Sequence, residues 1–163
     1  MENIEAQLRE CPVFADLDPR LLAVIADCAS PAQFEASHFV FREGEEADTC
    51  YLIRRGRVAL EVFAPGRGPL TIQTVGEGEV LGWSWLIAPY RWQFDARTTE
   101  LTRALALDGR CLRAKCEGDY QLGYELMKRF ADVIRQRLQA TRMQLLDLYG
   151  AGPGKGSNER RAR

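Results

Sequence analysis

Residues 75–96 read V-G-E-G-E-V-L-G-W-S-W-L-I-A-P-Y-R-W-Q-F-D-A, and the fold turns on how this stretch is read. It joins a Gly/Glu turn, a short run with two of the three tryptophans, and a Pro-Tyr-Arg-Trp loop that leads into a strand. Gly76, Gly78 and Gly82 let the backbone bend tightly and let another group come close. After Gly82, the amides of Trp83, Ser84 and Trp85 can point at an anion, as amides do where a turn enters a helix. Arg91 can bring a forked cation back to the same place. Two readings of this layout stand: a phosphate cradle, or a tight turn plugged by indoles.

Outward from this stretch, residues 33–107 form short alternating runs broken by Gly, Pro and Asp. The pattern predicts strands over 33–35, 39–42, 49–54, 57–63, 70–75, 94–98 and 102–107. Residues 43–46 and 55–57 read as turns, and 64–69 as a hairpin tip. No helix-length pattern separates the strands, so an antiparallel sandwich or barrel is expected rather than a parallel sheet. Helical patterns flank the strands. Residues 2–10 carry Ile4 and Leu8 one turn apart. Asp18-Pro19 starts a second helix with an apolar face of Leu21, Leu22, Ile25 and Cys28, which Ser30-Pro31 ends.

After Asp108, residues 109–113 read as a short turn, and 119–148 as a long helix that Gly150 stops. Leu122, Leu126, Phe130 and Val133 line its first half. Ile134, Leu138, Thr141, Leu145 and Leu148 then repeat at spacings of 4, 3, 4 and 3, a heptad stripe suited to a homodimer interface or to packing on the chain's own barrel. The tail over 150–163 has Gly, Pro and a basic cluster (Lys155, Arg160, Arg161, Arg163), and disorder is expected there.

Composition narrows the function. The chain has 163 residues, 46% of them hydrophobic, enough for one domain with a real core. A formal net charge of -1 argues against binding to nucleic acid by bulk charge. Five cysteines without a C-x-x-C pair argue against a disulfide framework or a zinc site, and a reducing cytoplasm fits best. Neither a signal peptide nor a membrane span is expected. The single histidine, His38, excludes His-pair metal sites and most His-dependent nucleophiles, and so disfavours a metal-dependent barrel enzyme.

Residues 40–56, V-F-R-E-G-E-E-A-D-T-C-Y-L-I-R-R-G, resemble the first signature of the cyclic nucleotide-binding domain family. Gly44-Glu45, Ala47-Asp48, the apolar strand Tyr51-Leu52-Ile53 and Gly56 fall where that signature has them. Gly76-x-Gly78-Glu79-x-x-Gly82 is similar to the family's lead into its phosphate-binding cassette. The resemblance covers about residues 8–149. It implies a jelly-roll-like antiparallel β-roll of the Crp/Fnr type, mainly β, with short N-terminal helices and a long C-terminal helix that often makes the dimer. It divides the chain into N-terminal helices over 2–30, the roll over 33–107 and C-terminal helices over 109–149. Crp/Fnr regulators carry a helix-turn-helix domain after that helix; here the chain becomes tail, so no DNA reading is expected.

The cassette departs from the family's pattern. The resemblance puts a ribose-binding glutamate after the glycine, where this chain has Trp83. It puts small residues near Ser84-Trp85, and a phosphate-binding arginine at Arg91, followed by Trp92 in place of a hydroxyl or small residue. Losing the glutamate removes a charge-assisted acceptor worth about 1.5–3 kcal/mol. Weak binding of cAMP or cGMP is therefore predicted, with Gly82, Trp83, Ser84, Trp85, Arg91 and Trp92 as candidate ligand contacts. A nucleotide-like, carboxylate or aromatic ligand suits the indoles better. Arg97 is a second candidate arginine or an outward strand residue. The expected role is a non-catalytic sensor that signals through its C-terminal helices. The alternative is a ligand-free dimeric scaffold for a protein partner.

Overall fold

The computed structural model describes residues 3–150, and the chain divides after Phe130 into two units. The first begins with α1 (Ile4–Glu10) and α2 (Pro19–Ala26). The Asn3 and Asp18 side chains accept hydrogen bonds from the amides of Glu5 and Arg20, which satisfies donors that a helix start leaves bare. Leu8, Phe14, Leu21, Leu22 and Ile25 are fully buried.

Eight strands follow among the described residues. They are β1 (Ala29–Phe34), β2 (Phe39–Phe41), β3 (Thr49–Arg55), β4 (Val58–Ala64), β5 (Gly68–Val75), β6 (Val80–Leu81), β7 (Asp95–Thr98) and β8 (Thr102–Asp108). They form two four-stranded sheets in the orders β1-β8-β3-β6 and β2-β7-β4-β5, with antiparallel pairing throughout. This is the antiparallel roll expected from the sequence. Both sheets contribute to one core: Phe41, Val58, Leu60, Val75 and Ala96 from one, Ile53, Leu81 and Ala104 from the other. Each of the larger side chains among them contributes about 1.5–3 kcal/mol by leaving water. The β3–β4 turn needs glycine at Gly56. Its φ is +103°, and a Cβ would lie 2.7 Å from the Leu101 carbonyl oxygen.

Four expectations are corrected. First, Ser30 and Pro31 do not end a helix; they belong to β1. That strand lies at a sheet edge, where proline's missing N–H breaks no ladder. Second, β6, inside the stretch quoted first, was not foreseen. Its two residues pair Leu81 with Tyr51 and Val80 with Leu52, too short a run to show alternation. Third, the expected turn after Asp108 is a ten-residue helix, α3 (Gly109–Gly118), which Asp108 caps by accepting from the Cys111 amide.

The fourth correction is a disulfide between Cys28 and Cys111, where none was expected. The two are 83 residues apart in sequence. They meet because β1 and β8 are antiparallel neighbours with Ala29 opposite Leu107. The residue before β1 and the third residue after β8 thus come together. Cys11, Cys50 and Cys116 form no disulfide.

α4 (Tyr120–Gly150) begins in the first unit, where Leu122, Leu126 and Phe130 are buried. Arg129 holds this part to the segment after α1, donating to the Val13 carbonyl at 2.8 Å and pairing with Asp16 at 2.6 Å. In the second unit Ile134 is half-buried, whereas Leu138, Thr141, Leu145 and Leu148 are exposed. The basic tail lies, from residue 151, outside the described residues.

Candidate functional site

Gly82 follows β6 with φ +92°, in the left-handed region. A Cβ there would stand 2.6 Å from the Cη2 and Cζ3 atoms of Trp92. The indole therefore lies directly against the glycine backbone, which needs glycine both for its angle and for its missing side chain. One face of Trp92 lies parallel to Phe41, with 3.7 Å between ring centroids and 6° between planes. Trp92 is 4% exposed and belongs to the core of the roll.

Backbone pairing explains the position of Trp92. Ala88–Pro89 is a cis peptide, and Tyr90 has φ +57°, so the chain reverses before Arg91. Residues 90–92 then bond to the 44–47 turn. Ala47 donates to the Tyr90 carbonyl (2.8 Å), Trp92 to that of Glu45 (3.0 Å), and Gly44 to that of Trp92 (2.9 Å). Neighbours on extended backbone point to opposite sides. Trp92 enters the core, so Arg91 faces out; it is exposed and donates to the Gly44 carbonyl at 3.4 Å.

The other candidates scatter. Residues 84–86 form a turn, with Leu86 donating to the Trp83 carbonyl at 3.0 Å, and no helix starts after Gly82. The amides there lack the aligned dipoles of a helix start. Among the described residues, those of Ser84 and Trp85 have no acceptor. Trp83 is half-buried, edge-on to Phe94 with centroids 6.3 Å apart. Trp85 is fully buried, perpendicular to Phe130 at 5.3 Å. Arg97 makes a two-pronged pair with the buried carboxylate of Glu61, at 2.7 and 2.9 Å, and is committed to the sheet.

Residues that sequence reasoning missed hold this loop. Arg113 of α3 donates to the Trp85 carbonyl, and its guanidinium lies 4.3 Å from the centre of the Tyr90 ring. Arg110 pairs with Glu46, and Gly109 donates to the Asp48 carbonyl at 2.7 Å. The Arg110 hydrogen bond and charge hold the Glu46 carboxyl below its ordinary range, and the charges of Arg91 and Arg113 add to the effect. Three guanidinium groups thus act on one carboxylate. No local pattern marks Arg110 or Arg113, because residues 109–113 read locally as a turn and only the resemblance implies a helix there.

The fold and the first signature together define the class: the chain belongs to the cyclic nucleotide-binding domain family, whose model matches residues 31–119. Among its relatives is the CRP-like cAMP-activated global transcriptional regulator of Mycobacterium tuberculosis, 26% identical over 141 residues. That match takes in 86% of this chain, which spans only 61% of the regulator. The chain also superposes, at a TM-score of 0.75 and 32% identity, on a protein of Geobacter metallireducens GS-15 assigned as cyclic nucleotide-binding. There 85% of this chain covers 99% of the other. The regulatory domain of Toxoplasma gondii PKA, solved with cAMP, shares the fold at a TM-score of 0.66 and 18% identity, covering 79% of this chain and 49% of that one.

Proposed function

We propose that this protein is a non-catalytic regulatory module whose nucleotide-binding roll is closed by its own Trp92 and which acts as a dimeric protein-interaction scaffold. One observation carries this reading: the edge of the Trp92 indole lies against the Gly82 backbone while its face stacks on Phe41, so the ring fills the roll beside the cassette glycine. For a ligand to enter, the ring must leave. Re-exposing about 150–250 Å² of indole costs about 4–6 kcal/mol. That lowers apparent affinity by about three to four powers of ten. Titration calorimetry with cAMP and cGMP should show dissociation constants of about 1 mM or weaker. Equimolar binding in the micromolar range would overturn the reading.

The partner surface we propose is α4. Ile134, Leu138, Thr141, Leu145 and Leu148 form the dimer stripe, and Leu138, Leu145 and Leu148 are 50%, 48% and 74% exposed. The same 4-3 spacing runs back through Ala131, Met127, Tyr124 and Tyr120, giving the three to four heptads that a coiled coil needs. A cytoplasmic location is proposed, with three of the five cysteines outside the one disulfide among the described residues.

A second reading has its own support. The amides of Ser84 and Trp85 lack acceptors, and Arg91, Arg110 and Arg113 surround Glu46, so a small anion has donors and positive charge at hand. In that reading the module is a sensor with Gly82, Trp83, Ser84, Trp85, Arg91 and Trp92 around its ligand, and Trp92 swings out on binding. A nucleotide-like or aromatic anion retained through purification, found by native mass spectrometry, would favour it.

A further inference from the structure

We infer that the Cys28–Cys111 bond is a redox modification site that controls how firmly the 84–92 loop is held. The bond ties α3 to the junction of α2 and β1. One residue before Cys111, Arg110 pairs with Glu46; two residues after it, Arg113 holds the Trp85 carbonyl and lies over the Tyr90 ring. A single turn of α3 therefore has the covalent anchor on one side and, on the other, the guanidinium groups that hold the 84–92 loop and the 44–47 turn paired with it. When the bond is closed, the guanidinium groups are fixed against the loop. When it is open, α3 keeps its Asp108 cap, the Gly109–Asp48 hydrogen bond, the buried Leu112 and the Lys115–Asp27 pair, but loses its covalent tie, and Arg113 holds the Trp85 carbonyl less firmly.

The access and the chemistry suit a dithiol as the reacting partner. Cys111 is partly exposed, whereas Cys28 is 7% exposed, so the attackable sulfur is that of Cys111. A thiolate of the dithiol bonds to Cys111 Sγ as the S–S bond breaks, and Cys28 leaves as a thiolate that takes up a proton. The second thiol of the reductant then displaces Cys111 from the mixed disulfide. Two electrons and two protons pass to the protein, and the dithiol ends as its own disulfide.

The test uses the full chain, with dithiothreitol as the dithiol. Mass mapping of alkylated cysteines should show Cys28 and Cys111 becoming reactive together. Amide hydrogen exchange over 84–92 should then quicken about tenfold, while β3 and β8 stay protected. Arg113→Gln should exchange quickly in that loop with or without dithiothreitol, because the link from bond to loop is gone. A bond that stays closed in dithiothreitol would overturn the inference, as would an opened bond with unchanged loop exchange. So would an Arg113→Gln protein whose loop still responds. Neither readout involves a ligand or a partner, so failure here leaves the scaffold reading standing.

Discussion

Replacing Trp92 with alanine tests the plugged roll most directly. The ring is 4% exposed, with its edge against the Gly82 backbone and one face stacked on the Phe41 ring at 3.7 Å. Truncating a buried tryptophan costs about 3–5 kcal/mol, with about 0.5–1.5 kcal/mol of that from the lost ring stack. At about 2–4 °C per kcal/mol for a chain of this size, the melting temperature should fall by about 6–20 °C. The roll should keep its shape, because Trp92 lies between strands rather than in a ladder. The cavity left behind is apolar and the shape of an indole, so added indole should raise the variant's melting temperature and leave the native protein's unchanged. The measurement is a urea melt for the free energy and a thermal melt with and without indole. A loss below about 1 kcal/mol, far under the expected range, would refute the packing argument. So would an equal response of both proteins to indole, which would show that the space was open from the start.

The remaining predictions concern the same glycine, the surface charges and the long helix. Gly82→Ala should cost about 2 kcal/mol or more, from its positive φ and the contact with Trp92, and should cost less in a Trp92→Ala background; urea melts of the four proteins measure that coupling. Asp16, Glu46 and Asp119 have carboxyls held below their ordinary range by hydrogen bonds from Arg129, Arg110 and Arg20. Their folded pKa values lie below the unfolded ones, so the stability they contribute is present above about pH 4 and is lost as the pH falls through the folded values. The urea midpoint should drop over that acid range, and Arg110→Gln should flatten the drop. Leu138→Glu with Leu145→Glu should convert a dimer to a monomer in light scattering without loss of β-sheet signal by circular dichroism. A native protein that is monomeric throughout would remove the dimer.

Some of this protein was legible locally. The caps at Asp18 and Asp108, the turn glycine Gly56 and most of the strands follow from side chains that act on their own backbone or alternate every second residue. The heptad stripe was legible too, though only from Ile134. Its upstream part has Tyr120, Tyr124 and Met127, amphipathic types that a search for aliphatic repeats passes over. The substitution of Trp83 for the family's glutamate was also visible. So was the choice between a cradle and a plug, but not its outcome.

That outcome lay in contacts between distant parts of the chain. Arg91 and Trp92 were both assigned to one pocket, yet pairing with the 44–47 turn puts them on opposite sides of an extended segment. Cys28 and Cys111 gave no sign of each other until β1 and β8 became neighbours. Arg110 and Arg113 reach the cassette only because α3 is a helix set beside it. The sequence by itself determined the antiparallel roll, its flanking helices and the divergence of its cassette, because those depend on local period and turn chemistry. The tertiary structure decided what fills the cassette and what grips it, because side-chain direction and long-range pairing are set only when both sheets close on one core.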